Sequence, residues 1–380
     1  MRIALTLFAV FALGCGAGPD PTSSQKNADL QEASWTVFRG DPALCGVVDG
    51  TLPENLQRLW TYETGDEIQS SPVVSGGRVF IGSSDNHIHA VSLVNGSALW
   101  KRDLGDYVDA PPLVLGDLVV AGTLDGVVYG LDAATGKPLW QFVCEGKITA
   151  SANASDEGQT VFIGSYDGLV HALQASNGEQ LWSFETSNYI NGAVAVAGGQ
   201  IFFGGCDGLL HQVDQETGHQ VKEVDVGSYA AGNPAIADGV AYLGTYRGVV
   251  LAIDLVAGEI LWEFEDEEEG GAFFSSPAVD ATHVLIGGRD QRVHCLDRKT
   301  GESQWTFLTQ GEVDASPVIV GDRVIAGSID GRLYVLDISN GAEVWSYEIG
   351  AAIIGSPAVA GGRIIVGAED GKLYTFGGRQ

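Results

Sequence analysis

The sequence predicts an all-β fold: an eight-bladed β-propeller of four-stranded antiparallel blades, its ring closed by pairing an N-terminal strand with C-terminal ones. Three periodic observations carry this expectation. Trp60, Trp100, Trp140, Trp182, Trp262, Trp305 and Trp345 follow one another at gaps of 40, 40, 42, 80, 43 and 40 residues, and Lys222 stands on the mark that the double gap skips. Four residues before each mark from Trp100 onward is a glycine: Gly96, Gly136, Gly178, Gly218, Gly258, Gly301 and Gly341. Ten or eleven residues before that glycine comes Asp-Gly or a variant of it, from Asp85-Asn86 through Arg247-Gly248 to Asp370-Gly371. A period near 40 residues with a recurring aromatic marks an array of supersecondary units such as propeller blades.

Each unit holds four strands. The first passes through Ser-Pro, as at Ser71-Pro72. The second ends at the glycine before the turn, as in Gly239-Val240-Ala241-Tyr242-Leu243-Gly244 and Arg363-Ile364-Ile365-Val366-Gly367. These runs are rich in β-branched and aromatic residues and too short for helices. Asp-Gly and Asp-Asn suit the tight turn that follows, because Gly and Asn tolerate positive φ. The third strand carries a Tyr/His-x-Leu segment and the fourth ends in Trp. The chain has eight such turns but only seven segments running from a turn to a tryptophan, while Leu59-Trp60 forms a last strand with no turn before it. Pairing that strand with the three C-terminal ones completes blade eight and removes the open edges of the ring. The propeller is expected over residues 57–380.

Leu131-Asp132-Ala133-Ala134-Thr135-Gly136-Lys137-Pro138-Leu139-Trp140 resembles the tryptophan-docking motif of the pyrroloquinoline-quinone-type repeat, and the Ser-Pro-Val-Val and Val-Phe-Ile-Gly-Ser pattern of residues 71–83 is similar too. The resemblance extends over all eight blades. It implies that the seven tryptophans dock structurally between neighbouring blades. Quinoprotein dehydrogenases and BamB-like outer-membrane assembly lipoproteins share this repeat. The dehydrogenases are longer, with capping insertions, and their alcohol-oxidising members carry an adjacent cysteine pair, which is missing here.

Before the ring, Arg2, the apolar run from Ile3 to Leu13, and Gly14-Cys15 form a short secretory signal, too short to span a bilayer. The cysteine behind small residues resembles a lipobox, with Ala12 where the usual leucine stands. It implies a signal peptide over 1–15 with Cys15 lipid-modified. Residues 16–56 are expected as a flexible tether and an N-terminal cap, so that removing residues 1–56 should leave stability nearly unchanged. A net charge of −29, from 49 acidic and 20 basic residues, repels phosphate backbones and excludes nucleic acid as a partner. Cys45, Cys144, Cys206 and Cys295 lie in different units without metal-like spacing, and are read as free or partly paired thiols.

No Gly-x-Ser-x-Gly, His-Glu-x-x-His, phosphate loop or EF-hand loop is present. His89, His171, His211 and His294 each stand four residues after a turn aspartate, one per blade, where other blades carry Tyr129, Tyr334 and Tyr374. They are read as packing residues, with His87-x-His89 as at most an adventitious metal pair. No catalytic residue, cofactor or resident metal is expected. Divergence at equivalent positions is the remaining clue. The residue before each turn aspartate varies, and Tyr166, Tyr246 and Arg289 stand there, with Arg247 replacing the aspartate of blade five. Aromatic and arginine side chains of this kind are enriched at interfaces. Glu265, Asp266, Glu267, Glu268 and Glu269, followed by Gly270-Gly271, form an acidic insertion that must stand in water. These are the candidate partner-binding residues. The leading reading is a non-enzymatic, monomeric, lipid-anchored interaction scaffold on the periplasmic face of the outer membrane. From the resemblance, its partner is the β-barrel assembly machinery. The alternative is a binding protein for a small ligand or carbohydrate.

Overall fold

The computed structural model describes residues 30–230, 232–266 and 270–378. They form eight antiparallel four-stranded sheets arranged as the blades of a propeller. Blade one comprises Val73–Ser75, Arg78–Gly82, His87–Ser92 and Ala98–Asp103, and its plan recurs seven times. Blade eight is assembled from both ends of the chain. Gln57–Glu63 lies antiparallel to Lys372–Gly377, with Trp60 opposite Thr375 and Glu63 opposite Lys372. The ring is therefore closed by main-chain pairing, as expected.

Burial follows the position of a strand within its blade. Second strands such as Thr160–Gly164 are buried nearly throughout, because blades stack on both of their faces. Outer strands such as Gln180–Glu185 alternate, one side packed on the next blade and the other in water. The tryptophans lie on the packed side. Trp100 packs on Gly136, Trp140 on Gly178, Trp182 on Gly218, Trp262 on Gly301 and Trp305 on Gly341, so closely that a Cβ on any of these glycines would collide with the indole. The glycines also have φ near +70°, so the docking turn requires glycine twice over. The indoles of Trp60, Trp100, Trp140, Trp262 and Trp305 each reach a carbonyl of the next blade, as Trp140 Nε1 does to Ala175 at 2.9 Å and Trp305 Nε1 to Ile338 at 2.8 Å, whereas the buried Trp182 Nε1 has no partner among the described residues. Lys222 uses the same geometry. Its stem covers Gly258 and its ammonium donates to the Leu255 and Val256 carbonyls, replacing the indole N–H.

The Ser-Pro motif has a second role at the inner strands. The Asn233 amide donates to Ser276 Oγ, Ser276 to Ser316, Ser316 to Ser356, and Ser356 to Ser71. These buried hydroxyls stitch consecutive blades together, where an unpaired amide would cost roughly 1–3 kcal/mol.

The segment before the ring differs most from expectation. From Leu30 onward it is a strap that runs from blade to blade over the inner strands. Trp35 pairs with Val74 of blade one, Thr36 accepts from Val114 of blade two, and Pro42 and Ala43 accept from Val196 and Ile236 of blades four and five. Cys45 and Gly46 then accept from Val279 and Ile319 of blades six and seven, and Val47–Val48 adds a parallel strand to Val318–Val320. Trp35, Val37, Phe38 and Leu44 are buried, and Arg39 is 1 % exposed with Nη2 donating to the Pro277 carbonyl. The part of residues 16–56, expected as tether and cap, that lies from Leu30 onward is thus a paired strap, and its contacts argue that removing residues 1–56 would cost stability. Residues 30–50 seal the inner edges of the ring.

Candidate functional site

In each blade the chain runs up and down, so its connections fall on two opposite faces. The first–second turns and the strap lie on one face. The Asp-type turns and the connections between blades lie on the other. On this second face the residue before every turn donates its amide to the incoming connection: Tyr166 to Lys147, Cys206 to Tyr189, Tyr246 to Tyr229, Arg289 to Ala272. The backbone is thus fixed alike around the ring while the side chains vary. That is how a rigid scaffold presents a specific surface.

Between blades five and seven these variable side chains meet. Tyr246 packs edge-on against Phe274 with ring centroids 5.7 Å apart, and the Arg289 guanidinium lies 3.7 Å above the same ring. Tyr229 extends the arc on the other side of Tyr246, at 6.5 Å. Arg289 donates through Nε to Asp314 Oδ1 at 3.0 Å and through Nη2 to Asp314 Oδ2 at 2.7 Å, with Glu312 at 3.2 Å. The Asp314 hydrogen bonds raise its pKa above the usual arginine range. Tyr229 and Tyr246 remain more than half exposed although they are held in contact. Aromatic rings ordered before binding lose little entropy on docking.

The other candidates distribute differently. Tyr166 stacks on Tyr189 at 5.3 Å and 11°, a separate pair nearer blades three and four. Arg247 is exposed beside a cleft of about 380 Å³ that is also lined by Asp225, Thr245, Leu251, Glu263 and Glu265. This cleft has a local cause. Blade five has lost both the turn aspartate and the ring four residues on, with Arg247 and Leu251 in their places. Of the acidic insertion, Glu265 is exposed and Asp266 half-buried, while Glu267, Glu268 and Glu269 lie outside the described residues, as does Cys15. Phe274, Tyr189, Tyr229 and Asp314 were missed by sequence reasoning. A signal existed: Tyr107, Tyr189 and Tyr229 recur at gaps of 82 and 40 residues.

The histidines are placed one per blade and each is bound to its own turn aspartate. Nε2 lies 3.1 Å from Asp85 in His89, 3.0 Å from Asp167 in His171, 2.8 Å from Asp207 in His211 and 2.7 Å from Asp290 in His294. Tyr334 and Tyr374 make the same contact through their hydroxyls at 2.7 Å. Burial pulls His89 below the ordinary imidazole value, against the hydrogen bond it makes to Asp85. Asp85 and Asp207 are themselves held below the usual carboxylate range, where burial is outweighed by the bonds to His89 and His211. All four cysteines of the ring and strap are free thiols, and burial pushes Cys144 and Cys295 up to about 12.

With eight blades and their docking geometry established, the decisive comparison is with the family described as outer membrane protein assembly factor BamB. Its model matches residues 46–187, 125–221, 166–289 and 289–379. The chain belongs to this family. Among curated proteins no sequence match is found. Among solved structures, BamB from Moraxella catarrhalis is similar, with a TM-score of 0.75 at 21% identity, covering 86% of this chain and 98% of that one. The computationally designed protein Ika8 gives 0.75 at 20% identity, covering 84% and 99%. Quinohemoprotein alcohol dehydrogenase from Comamonas testosteroni gives 0.78 at 14% identity, covering 95% and 83%. At such identities the likeness to each solved structure is one of fold, while the family is set by the repeat model. Among the described residues no helix is long and apolar enough to cross a membrane.

Proposed function

We propose that this protein is a non-catalytic scaffold of the bacterial envelope. It holds a protein partner in outer-membrane protein assembly against the face that carries Tyr229, Tyr246, Phe274 and Arg289. The observation that carries this reading is the exposed aromatic arc itself, pre-packed on a backbone fixed by the ring. Family membership supplies the class of process. Cys15 is the lipid attachment point in this reading, and it tethers the propeller to the periplasmic face of the outer membrane. The non-enzymatic part is supported by the titratable pairs, which are spread one per blade and engaged in packing rather than converging on a cleft. The strap adds support because it covers the inner strands from one side.

The test is recovery of partners from mildly solubilised membranes with a C-terminally tagged protein. Tyr246→Ser combined with Arg289→Ser should abolish recovery of a barrel-assembly protein while the propeller still melts cooperatively. Undiminished recovery would refute the arc as the contact. A cell in which Cys15→Ala leaves the protein on membranes after a high-salt wash would refute the anchor. The ligand-binding alternative rests on the cleft beside Arg247, and it predicts a saturable small molecule whose binding Arg247→Ser removes.

A further inference from the structure

Cys144, Asp167 and His171 bring one ligand atom each to within 4.8 Å of one another at the junction of blades two and three. From this cluster we propose a binding site for a zinc-class divalent cation, held by Cys144 Sγ, one carboxylate oxygen of Asp167 and His171 Nε2.

The repeat builds two thirds of this site in several blades and completes it here. The residue just after each outer strand faces the Asp-type turn of the next blade. In Thr64, Thr186 and Thr309 its hydroxyl donates to neighbouring carbonyls and caps the connection. At the second junction the threonine gives way to Cys144, which is buried, as is His171, while Asp167 keeps a narrow exposed edge. A soft sulfur, an imidazole and a carboxylate together form a donor set suited to zinc. Tetrahedral coordination needs ligand atoms roughly 3–4 Å apart given zinc bonds of about 2.0–2.3 Å, so only small side-chain rotations are required.

The surroundings of the imidazole single out this junction. His171 Nδ1 lies 3.1 Å from Gln180 Oε1, an outer partner that can accept the ring proton once Nε2 binds a cation. Without a cation Nε2–H donates to Asp167 at 3.0 Å; with one bound, the ring proton sits on Nδ1 and the Nε2 lone pair faces the metal, the other nitrogen being held by the outer acceptor. His211 and His294 differ, because their buried Nδ1 atoms have no partner among the described residues. Their proton resides on Nε2 and is given to Asp207 and Asp290. Asp167 is oriented by two backbone amides that donate to it, from Leu169 at 2.9 Å and Glu145 at 3.2 Å. Binding exchanges the Cys144 thiol proton for the cation and releases it to solvent. Thiolate and carboxylate then balance the two positive charges, and a fourth position is left for water.

Asp266, Asp290 and His294 form the corresponding cluster at the junction of blades five and six. It lacks sulfur and the outer acceptor, so it serves as an internal control.

The experiment uses the full chain stripped by a chelator and titrated with Co2+ and then Zn2+. One equivalent of Co2+ should give the d–d bands of a tetrahedral site and a sulfur-to-cobalt charge-transfer band, which Zn2+ then displaces. Cys144→Ser and His171→Gln should each lose the bands, and His294→Gln should keep them. Zn2+ should also raise the melting temperature of the parent protein and of His294→Gln but not of the first two variants. Should Cys144→Ser fail to fold, as judged by circular dichroism, His171→Gln alone decides by the same bands. No saturable cobalt absorbance, or a charge-transfer band that survives in either site variant, would overturn the proposal.

Discussion

The two faces of the ring solve opposite problems with the same repeat. On the strap face, residues 30–50 cross the inner strands and hydrogen-bond to one blade after another, so what the blades would expose as free edges is satisfied within the chain. On the other face, the backbone is just as regular, yet the side chains before the turns are serine, leucine, tyrosine, cysteine, arginine, isoleucine or glutamate, and several aromatics stand in water. One face spends its sequence on closure, while the other carries the variation on which the proposed contact rests. The difference teaches that in this propeller regular main-chain geometry does not mark the functional surface. Side-chain divergence on that geometry is what points to the face proposed for contact.

The sharpest way to break the contrast is to remove the strap. A chain lacking residues 1–29 should melt like the parent, whereas one lacking residues 1–50 should show the largest destabilisation of any variant here. Trp35 and Leu44 are 3 % and 0 % exposed, and truncating either to alanine would by itself cost roughly 2–5 kcal/mol. The longer deletion should exceed each of these and should also promote association through the exposed inner edges. Coincident melting curves for the two deletions would show that the strap is an ornament.

Next in size is the junction between blades. Trp140 is nearly buried, covers Gly178 and donates to Ala175, so Trp140→Ala should cost about 3–5 kcal/mol in denaturant unfolding. Lys222→Trp should be neutral or stabilising, because the indole N–H has the Leu255 carbonyl waiting where the ammonium now donates. A clear loss on Lys222→Trp would mean that blades four and five have closed around the lysine stem.

Much of this ring was legible in the sequence, because a repeat prints its own constraints. The indole, the docking glycine and the turn aspartate must recur wherever blades meet, so a missing tryptophan still left its place marked at Lys222. Ring closure followed from counting turns. The strap was not legible, since its order comes from main-chain pairing with six blades far away in sequence and its polar start reads as tether. Trp35, Val37, Phe38 and Leu44 were the available hint that this stretch is buried. The arc was half legible: Tyr246 and Arg289 stood out by divergence, but Phe274, which joins them, lies in a connection of irregular length. The Cys144 cluster was hidden because its members come from two blades. Spacing rules for metal ligands describe local loops, not junctions.

Acid should expose the pairs that line the second face. His89 is held below its ordinary value by burial, so its neutral form is favoured by folding. Its contribution is full above the unfolded value of about 6.5 and is lost as pH falls from there through the lower folded value. Asp85 and Asp207 are held low by their histidine bonds despite burial. Their contributions are full above about 3.9 and are lost as pH falls through their folded values. Melting temperature should therefore decline in two stages on acidification, and His89→Gln should remove part of the first. A flat profile between neutrality and pH about 5 would contradict the His89 assignment.

The smallest expected effect on stability belongs to the face proposed for contact, and there smallness is the point. Tyr246 is 58 % exposed and Arg289 sits in water beside Asp314 and Glu312, so its ion pairs contribute at most about 1 kcal/mol. Tyr246→Ser with Arg289→Ser should shift the melting temperature by no more than a few degrees, yet eliminate partner recovery. Replacing Glu265, Asp266, Glu267, Glu268 and Glu269 with Ser and Gln should likewise leave stability nearly unchanged. If the acidic insertion steers a basic partner toward the arc, that variant should bind more slowly, and the parent's association rate should fall as salt rises. A partner lost from the double variant but kept by the acidic one, with no salt dependence, would confine recognition to the aromatic arc. A melting temperature that collapses in the double variant would instead make Tyr246 and Arg289 part of the closure, and the contrast between the two faces would fail.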